Sequence, residues 1–191
     1  MRLGWYLFST RFLAPGEDGR YAKLRESWGN SAGFKFLIFF LAQGVLAFVL
    51  ALPFFAISWH AAPGPTIWDL LALAAGIGAV LGEGIADRQL HRFRSDPKNK
   101  GLTCNTGLWR YSRHPNYFFE WLYWWSYILL LIGSWWILTA LFSAALMLYL
   151  ITKVTGIPPT EERALASRGD SYRRYQRTVS AFFPWPPKEA A

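Results

Sequence analysis

Four long apolar runs alternate with polar, basic segments along the chain, and this alternation is its strongest structural signal. The runs cover residues 36–58, 67–85, 117–132 and 135–151. A helix of about 20 apolar residues crosses the hydrocarbon core of a bilayer, and the runs lack the alternation of barrel strands. The pattern therefore predicts an all-α, polytopic membrane bundle with about four spans, formed as a single domain over residues 1–191.

The segments between and beyond the runs predict turns and amphipathic ends. Only Gly133 and Ser134 separate the last two runs, which predicts a tight helical hairpin. Pro53 is expected to kink the first span. Residues 1–35 are predicted to be a cytoplasmic or interfacial segment, residues 86–116 a cytoplasmic loop and residues 153–191 an amphipathic cytoplasmic tail. In the tail, Thr160 precedes two glutamates, as is typical of a helix start.

Composition and charge narrow the class of protein further. Hydrophobic residues make up 53% of the 191 positions and charged residues only 17%, which is too apolar for a soluble fold of this size. The formal charge of +8 would suit nucleic acid or an anionic membrane surface. All 20 Lys and Arg lie in residues 1–35, 86–116 and 153–191, and none lies in either opposite connection. The positive-inside rule therefore places both termini and the central loop in the cytoplasm, and we expect no nucleic-acid partner.

The central loop and the start of the third run concentrate the chemistry. They read A-D-R-Q-L-H-R-F-R-S-D-P-K-N-K-G and, after a short spacer, G-L-W-R-Y-S-R-H-P-N-Y-F-F-E-W. Polar groups at the mouth of a membrane bundle are costly and usually functional. Arg110 and Arg113 alternate with aromatic, amide and imidazole groups, which favours a clamp for an anionic cofactor. A basic flank that contacts lipid phosphates is the alternative for these arginines and for Lys98.

Three side chains near the start of the third run share one helix face. His114, Tyr117 and Glu120 recur at a spacing of three. Such a trio is either a solvated helix start or an inward-facing site. A carboxylate at the depth of Glu120 should face the bundle interior and hold a partner.

The end of the second run carries a second acidic pair. Glu83 and Asp87 are four residues apart and share a helix face. They either pair with Arg88 or Arg92 at the helix end, or Asp87 and Gln89 line the same cleft as the basic motif.

Several common kinds of site have no signature in this sequence. It contains no Walker loop, no zinc-binding pattern and no dinucleotide-binding G-x-G-x-x-G, so no metal site is predicted. The stretch Gly76-Ile77-Gly78 lies within an apolar span, where it predicts a close helix contact. Cys104 is the single cysteine, so no intrachain disulfide is expected, and its thiol is either structural or reactive.

These motifs resemble those of the steroid 5α-reductase C-terminal superfamily, in particular its bacterial branch of uncharacterised multi-pass membrane proteins. The similarity rests on A-D-R-Q-L-x-x-F, K-N-K-G and G-L-W-R-Y-S-R-H-P-N-Y-F-x-E-W, with E-D-x-R-Y near Glu17 and E-E-R, Y-x-x-Y and F-F-P in the tail. The resemblance implies an all-helical bundle in a bacterial cytoplasmic membrane with a cytoplasm-facing NADPH pocket. It also implies reduction of a carbon–carbon double bond, often one conjugated to a carbonyl.

The resemblance further implies which residues lie near the cofactor. Residues of the central motif would contact it, and two tail tyrosines would close over it. The first group is Asp87, Lys98, Trp109, Arg110, Tyr111, Arg113, His114, Asn116, Tyr117 and Glu120, and the second is Tyr172 and Tyr175. The residue types agree, because arginines suit phosphates, an aromatic ring suits adenine, and an amide with a carboxylate suits the nicotinamide end.

Two departures from the family pattern bear on catalysis. Relatives carry additional N-terminal spans, and the acid that polarises the substrate carbonyl comes from that part. Either Tyr117 or Glu83 substitutes for it, or the chain is a shortened form with reduced or no activity. The second departure is Phe119, at a position where relatives commonly have glycine, and it is expected to narrow the pocket.

The main hypothesis is an NADPH-dependent reductase of lipid metabolism whose apolar, steroid-like or isoprenoid substrate enters from the surrounding membrane lipids. One alternative is an S-adenosylmethionine-dependent membrane methyltransferase of the isoprenylcysteine carboxyl methyltransferase kind, which shares R-H-P-x-Y, a double glutamate and Y-x-x-Y. The motifs A-D-R-Q and K-N-K-G favour the reductase. The other alternative is a non-catalytic component that retains the pocket. The substrate and the oligomeric state stay open.

Overall fold

The computed structural model describes residues 19–59 and 64–188, without the side chains of Gly19, Arg20 and Lys23. Glu17 and Asp18 of the motif E-D-x-R-Y, and residues 60–63 of the connection after the first predicted span, lie outside the described residues.

Helices make up most of the described chain, as the sequence predicts, and no strand occurs within the described ranges. The α-helices are α1 (Gly19–Trp28), α2 (Ala32–Trp59), α3 (Ile67–Ser95), α4 (Pro115–Leu130), α5 (Ile137–Tyr149), α6 (Ile157–Arg168) and α7 (Asp170–Thr178). Short 3₁₀ turns occur at Gly29–Ser31, Pro97–Asn99 and Gly107–Arg110, and a π-helical segment, Leu150–Val154, joins α5 to α6.

Three helical segments are long and apolar enough to cross a membrane, which marks an integral membrane protein. They are Leu24–Trp59, Ile67–Ser95 and Ile137–Arg168. The predicted third span falls mainly on α4, which has 16 residues. At a rise of about 1.5 Å per residue this helix is about 24 Å long, shorter than a typical crossing. Length and composition thus support three spans among the described helices, and the fourth stays a prediction.

Internal contacts divide the chain into two compact units, residues 1–49 and 50–191. In the described part of the first unit, aromatic side chains of α1 and α2 form edge and stacked contacts, with Trp28 and Phe36 ring centroids 4.9 Å apart. In the second unit, Tyr127, Ile128 and Leu131 form a buried core with Ala140 and Ala144. Alanines at such an interface allow helices in a membrane to approach closely.

Local signals explain where the helices of the second unit begin. Thr66 and Asp69 form a capping box at the start of α3, and Asp69 Oδ2 accepts a hydrogen bond from the Thr66 backbone N–H at 2.6 Å. Pro115 opens α4, as the sequence predicts, because a proline in the first turn loses no needed hydrogen bond. The predicted tight turn is confirmed, with the Ser134 N–H donating to the Leu131 carbonyl at 3.1 Å.

The tail differs from the single amphipathic segment that the sequence suggests. Helix α6 begins at Ile157 rather than at Thr160, because the two prolines that precede Thr160 fit the first helical turn. Gly169 then adopts a positive φ of 52°, which separates α6 from α7.

The junction between α5 and α6 is a π-helical turn. The Thr155 N–H donates to the Leu150 carbonyl at 2.8 Å, five residues back, instead of the four of an α-helix. Gly156 follows directly, and a Cβ atom there would lie 2.6 Å from the Ile151 carbonyl oxygen. A larger residue at position 156 would therefore push this turn apart.

Helices α3 and α4 run antiparallel and make their closest contact at Gly82. A Cβ atom at this position would overlap the Phe119 ring. A Cβ at Gly76 would lie in ordinary contact, 3.7 Å from Ser126 and Tyr123, and one at Gly78 would meet nothing within 4 Å. The predicted close contact at Gly76-Ile77-Gly78 therefore lies between one and two helical turns away from the tight one. The side chain of Phe119 occupies the space that glycine leaves at position 82.

We expect Gly82→Ala to destabilise the protein by about 1–3 kcal/mol, because the added methyl group overpacks the α3–α4 contact. Gly78→Ala is the matched control and should be neutral or slightly stabilising, since alanine favours a helix and meets no neighbour there. Thermal unfolding of the purified protein in detergent measures both effects. Adding Phe119→Ala to Gly82→Ala should recover part of the loss. Equal unfolding temperatures for the two alanine variants would contradict the assigned contact.

Candidate functional site

The polar end of the second unit is organised around the Glu161 carboxylate of α6. Its Oε1 accepts a hydrogen bond from Arg113 Nε at 2.6 Å and lies 3.2 Å from His114 Nε2. The Tyr172 hydroxyl donates to the same oxygen at 3.3 Å, and Gln176 Nε2 donates to Oε2 at 2.7 Å. One carboxylate thereby links the start of α4 to α6 and α7.

Arg113 extends this network into the tail. Its Nη1 donates to the carbonyls of Gln176 at 3.0 Å and Val179 at 2.6 Å, and its backbone N–H donates to the Ser180 carbonyl at 2.8 Å. The side chain is only 11% exposed. Two of its three guanidinium nitrogens are therefore engaged by protein groups. The sequence-based role of Arg113 as a phosphate ligand stays a prediction.

The two tail tyrosines are buried beneath the central motif. The Tyr175 hydroxyl donates to the Trp109 carbonyl, and Trp109 Nε1 donates to the Ala86 carbonyl at 2.9 Å. Burial raises the pKa of the Tyr172 and Tyr175 hydroxyls well above the usual value for tyrosine. Both hydroxyls therefore stay protonated at neutral pH and act as hydrogen-bond donors.

A cavity of about 350 Å³ opens between the end of α3, the start of α4, and helices α6 and α7. Seven of the residues that the sequence predicts near a cofactor line it. They are Trp109, Arg113, His114, Asn116, Tyr117, Tyr172 and Tyr175. Its other lining residues are Leu90, Arg94, Thr103, Cys104, Thr160, Arg163, Ala164, Ser167 and Arg168.

Three arginines that line this cavity are not among the site residues that the sequence predicts. Arg94, Arg163 and Arg168 form no ion pair and no side-chain hydrogen bond with other residues of the described chain. No carboxylate is among the described residues that line the cavity. The wall is therefore cationic and suits an anion. The sequence signal for Arg163 and Arg168 was their place on an amphipathic tail helix, which also fits a solvated face.

Asn116, which lines the same cavity, carries an unsatisfied acceptor. Its Nδ2 donates to Asp87 Oδ1 at 3.2 Å, whereas its Oδ1 is buried and has no hydrogen-bond partner within the described residues. A buried carbonyl oxygen without a donor costs about 1–3 kcal/mol, which a ligand N–H or O–H group would recover.

Tyr117 brings a hydroxyl to the cavity wall. Its ring stacks on the buried His114 ring with centroids 5.4 Å apart and an angle of 8°. Its hydroxyl lies 3.3 Å from Thr160 Oγ1. The predicted shared face of His114 and Tyr117 is confirmed, and both side chains are held in place by neighbours.

Four predicted residues, besides the acidic ones, lie away from this cavity. Gln89 Oε1 accepts a hydrogen bond from the Leu108 N–H at 2.9 Å and lies against Gly107, whose φ is 60°, so it shapes the 3₁₀ turn. Lys98 is exposed in the turn Pro97–Asn99, Tyr111 is exposed, and Arg110 lines a second cavity.

The acidic residues form a separate group along the α3–α4 contact. Glu83 and Asp87 lie close enough to Glu120 to interact with it electrostatically. None of the three lines the cavity, although Asp87 reaches its edge through Asn116. Cys104 is buried, forms no disulfide and lines the cavity. The described residues contain no cluster of three or more His, Cys, Asp or Glu that could hold a metal.

Comparison with known proteins gives one match. A family described as "Protein of unknown function (DUF1295)" matches residues 1–179, so the chain belongs to this family. No curated protein and no solved structure matches the chain.

We expect Glu161→Gln to lower the free energy of unfolding by about 2 kcal/mol, because it leaves the buried Arg113 guanidinium without its anionic partner. Glu162→Gln removes the same charge from the next, exposed position and should change stability by less than about 0.5 kcal/mol. Thermal unfolding in detergent at constant ionic strength compares the two. Equal losses would contradict the central role of Glu161.

Proposed function

We propose that this DUF1295 protein is a membrane-embedded, NADPH-dependent reductase of a carbon–carbon double bond in an apolar, steroid-like or isoprenoid substrate. The main support is the orphaned Oδ1 of Asn116, a residue that lines a cavity whose free cations are arginines. This combination fits a ligand with phosphates at one end and a hydrogen-bond donor at the other. The type of reaction rests on the sequence resemblance.

The residues of the cavity suit such a cofactor in separate ways. The guanidinium groups of Arg94, Arg163 and Arg168 would bind phosphate oxygens, for which their planar donor pairs are well matched. Asn116 Oδ1 would accept a hydrogen bond from the nicotinamide carboxamide or from a ribose hydroxyl. Bound NADPH would supply the hydride, and the protein would contribute binding and orientation.

Tyr117 is the better placed of the two predicted acids. Tyr117 lines the cavity and its hydroxyl lies beside Thr160, another lining residue, whereas Glu83 lies outside the lining beside the other carboxylates. We assign to Tyr117 Oη the proton that completes the reduction. The hydroxyl of Thr160 would orient this group, and the His114 ring would fix its plane.

An apolar groove supports a substrate that arrives from lipid. It has a volume of about 590 Å³ and runs along α3 and α4, lined by side chains such as Leu73, Ile77, Val80 and Leu130. The contact of Phe119 with Gly82 lies at the end of the groove nearest the polar cavity. Entry from the membrane is consistent with both termini and the cavity facing the cytoplasm of a bacterial cell.

The charge of the cavity discriminates against the methyltransferase alternative. S-adenosylmethionine carries a sulfonium cation, which a wall of arginines without a lining carboxylate would repel. A polyanionic dinucleotide gains from the same wall. If the protein were instead a non-catalytic component that retains the pocket, it would bind NADPH tightly but would not turn over an enone substrate.

We expect saturable NADPH binding by the purified protein, measured through quenching of tryptophan fluorescence. Arg163→Gln and Asn116→Ala should each raise Kd at least about 10-fold, since each removes a charge-assisted or otherwise unpaired hydrogen bond. Arg92→Gln is the control, because Arg92 is exposed outside the cavity and should leave Kd unchanged. Saturable binding of S-adenosylmethionine without binding of NADPH would overturn the proposal.

We expect Tyr117→Phe to lower turnover of an apolar enone by about 10²- to 10⁴-fold with little change in the Kd of NADPH, because the variant loses the proton donor alone. NADPH oxidation, followed by absorbance at saturating cofactor, measures the rate. Glu83→Gln should retain most of the activity. Full activity of Tyr117→Phe together with an inactive Glu83→Gln would move the acid to Glu83.

A further inference from the structure

A second basic cavity, which the proposed reaction does not use, lies beside the first. Its volume is about 650 Å³, and Arg110, Arg174 and Lys188 line it. No carboxylate belongs to its lining, and none of the three cations forms an ion pair with another described residue. Three exposed, uncompensated cations around one concavity create a local potential that attracts an anion.

The walls of this cavity are held by hydrogen bonds. Thr103 Oγ1 lies 3.1 Å from Ser171 Oγ, which ties the central loop to α7. The Lys188 N–H donates to the Thr178 carbonyl at 2.8 Å, which holds the end of the tail against the same helix. The cations thus project from three fixed chain segments. Hydroxyl groups on the wall add neutral donors, a mixture that suits phosphate oxygens.

The contacts of the neighbouring residues set the depth of the cavity relative to the membrane. Trp109 Nε1 bonds to the Ala86 carbonyl, and the apolar run of α3 ends one residue earlier, at Ile85. Arg110 follows Trp109 and so lies at the level where that run meets the polar region. Phe183 in the tail packs against the Trp121 ring of α4, with centroids 5.7 Å apart, which holds the tail beside an apolar surface.

Exposed aromatic side chains lie on this side of the molecule. Trp185 is 68% exposed, Phe183 52% and Tyr111 43%. The Trp185 N–H donates to the Tyr111 carbonyl at 2.9 Å, so these two aromatic residues are held side by side. Tryptophan and tyrosine favour the headgroup level of a bilayer. A site for a soluble anion has no need of exposed aromatic residues beside it.

We propose that the cavity lined by Arg110, Arg174 and Lys188 binds the phosphate of an anionic phospholipid headgroup, with the neighbouring aromatic residues seated in the interface. The cations supply the attraction to an anionic headgroup. The exposed aromatic residues nearby and the depth of the cavity favour a lipid over a free phosphate. This inference does not depend on the cofactor or on the reaction proposed above.

The test uses the full chain in detergent micelles titrated with phosphatidylglycerol or phosphatidylcholine, with bound lipid counted by native mass spectrometry. We expect wild type to bind phosphatidylglycerol at least 10-fold more tightly than phosphatidylcholine. The triple variant Arg110→Gln/Arg174→Gln/Lys188→Gln should lose this preference. The matched triple Arg88→Gln/Arg92→Gln/Lys100→Gln removes the same charge at exposed positions outside both basic cavities and should keep it.

Three outcomes would overturn the proposal. Equal losses in the two triple variants would show a general effect of charge. Competition by inorganic pyrophosphate at micromolar concentration would identify a soluble anion as the occupant. Displacement of phosphatidylglycerol by saturating NADPH would make the cavity part of the nucleotide site. Should circular dichroism show that the first triple variant is misfolded, the three single variants replace it, each expected to weaken binding at least threefold.

Discussion

The carboxylate of Glu161 is the interaction on which the polar end of this protein depends. A partly buried negative charge is tolerated only where donors replace the water it has lost, and here Arg113, His114, Tyr172 and Gln176 surround it. These donors come from the start of α4 and from α7. Because Arg113 also binds carbonyls at the end of α7, the position of one charge determines the position of the whole tail.

This arrangement separates structural arginines from those available to a ligand. Arg113 belongs to the most recognisable motif of the sequence, yet its guanidinium is occupied by Glu161 and by backbone carbonyls. Arg163, two residues after Glu161 on α6, faces the cavity and has no protein partner among the described residues. The same helix therefore anchors the tail with one side and presents a cation with the other. The arginine of the conspicuous sequence motif, Arg113, therefore need not be the one that binds the ligand.

The sequence predicts the membrane helices and part of the site, for reasons that differ. Apolar runs and Pro115 reveal helices directly, because hydropathy and the first-turn preference of proline are local properties. The assembly of Asn116 and Tyr117 with Tyr172 also agrees with the resemblance. The role of Glu161 cannot be predicted from local sequence, because its partner Arg113 lies 48 residues away along the chain.

The cavity arginines and the α3–α4 contact also differ from the sequence-based expectation, because both depend on contacts between residues distant in sequence. In the sequence, Arg94 and Arg163 look like the basic residues that flank any membrane span. Only the folded structure shows that the end of α3 lies beside α6, so that both arginines line one cavity. The tight α3–α4 contact lies at Gly82 because the bulky Phe119 faces it, whereas the more conspicuous Gly78 meets no neighbour. Hydropathy identifies which segments are helical, but not which residue of a helix faces which residue of another.

The π-helical turn Leu150–Val154 rotates α6 about the helix axis relative to where an uninterrupted α-helix from α5 would place it. One additional residue in a helical turn rotates all that follows by about 100°. The exposed apolar side of α5 and the side of α6 that carries Glu161 therefore need not lie on one continuous helix face. Loss of a single residue from this turn would swing the carboxylate away from Arg113 while leaving the hydropathy of the span intact.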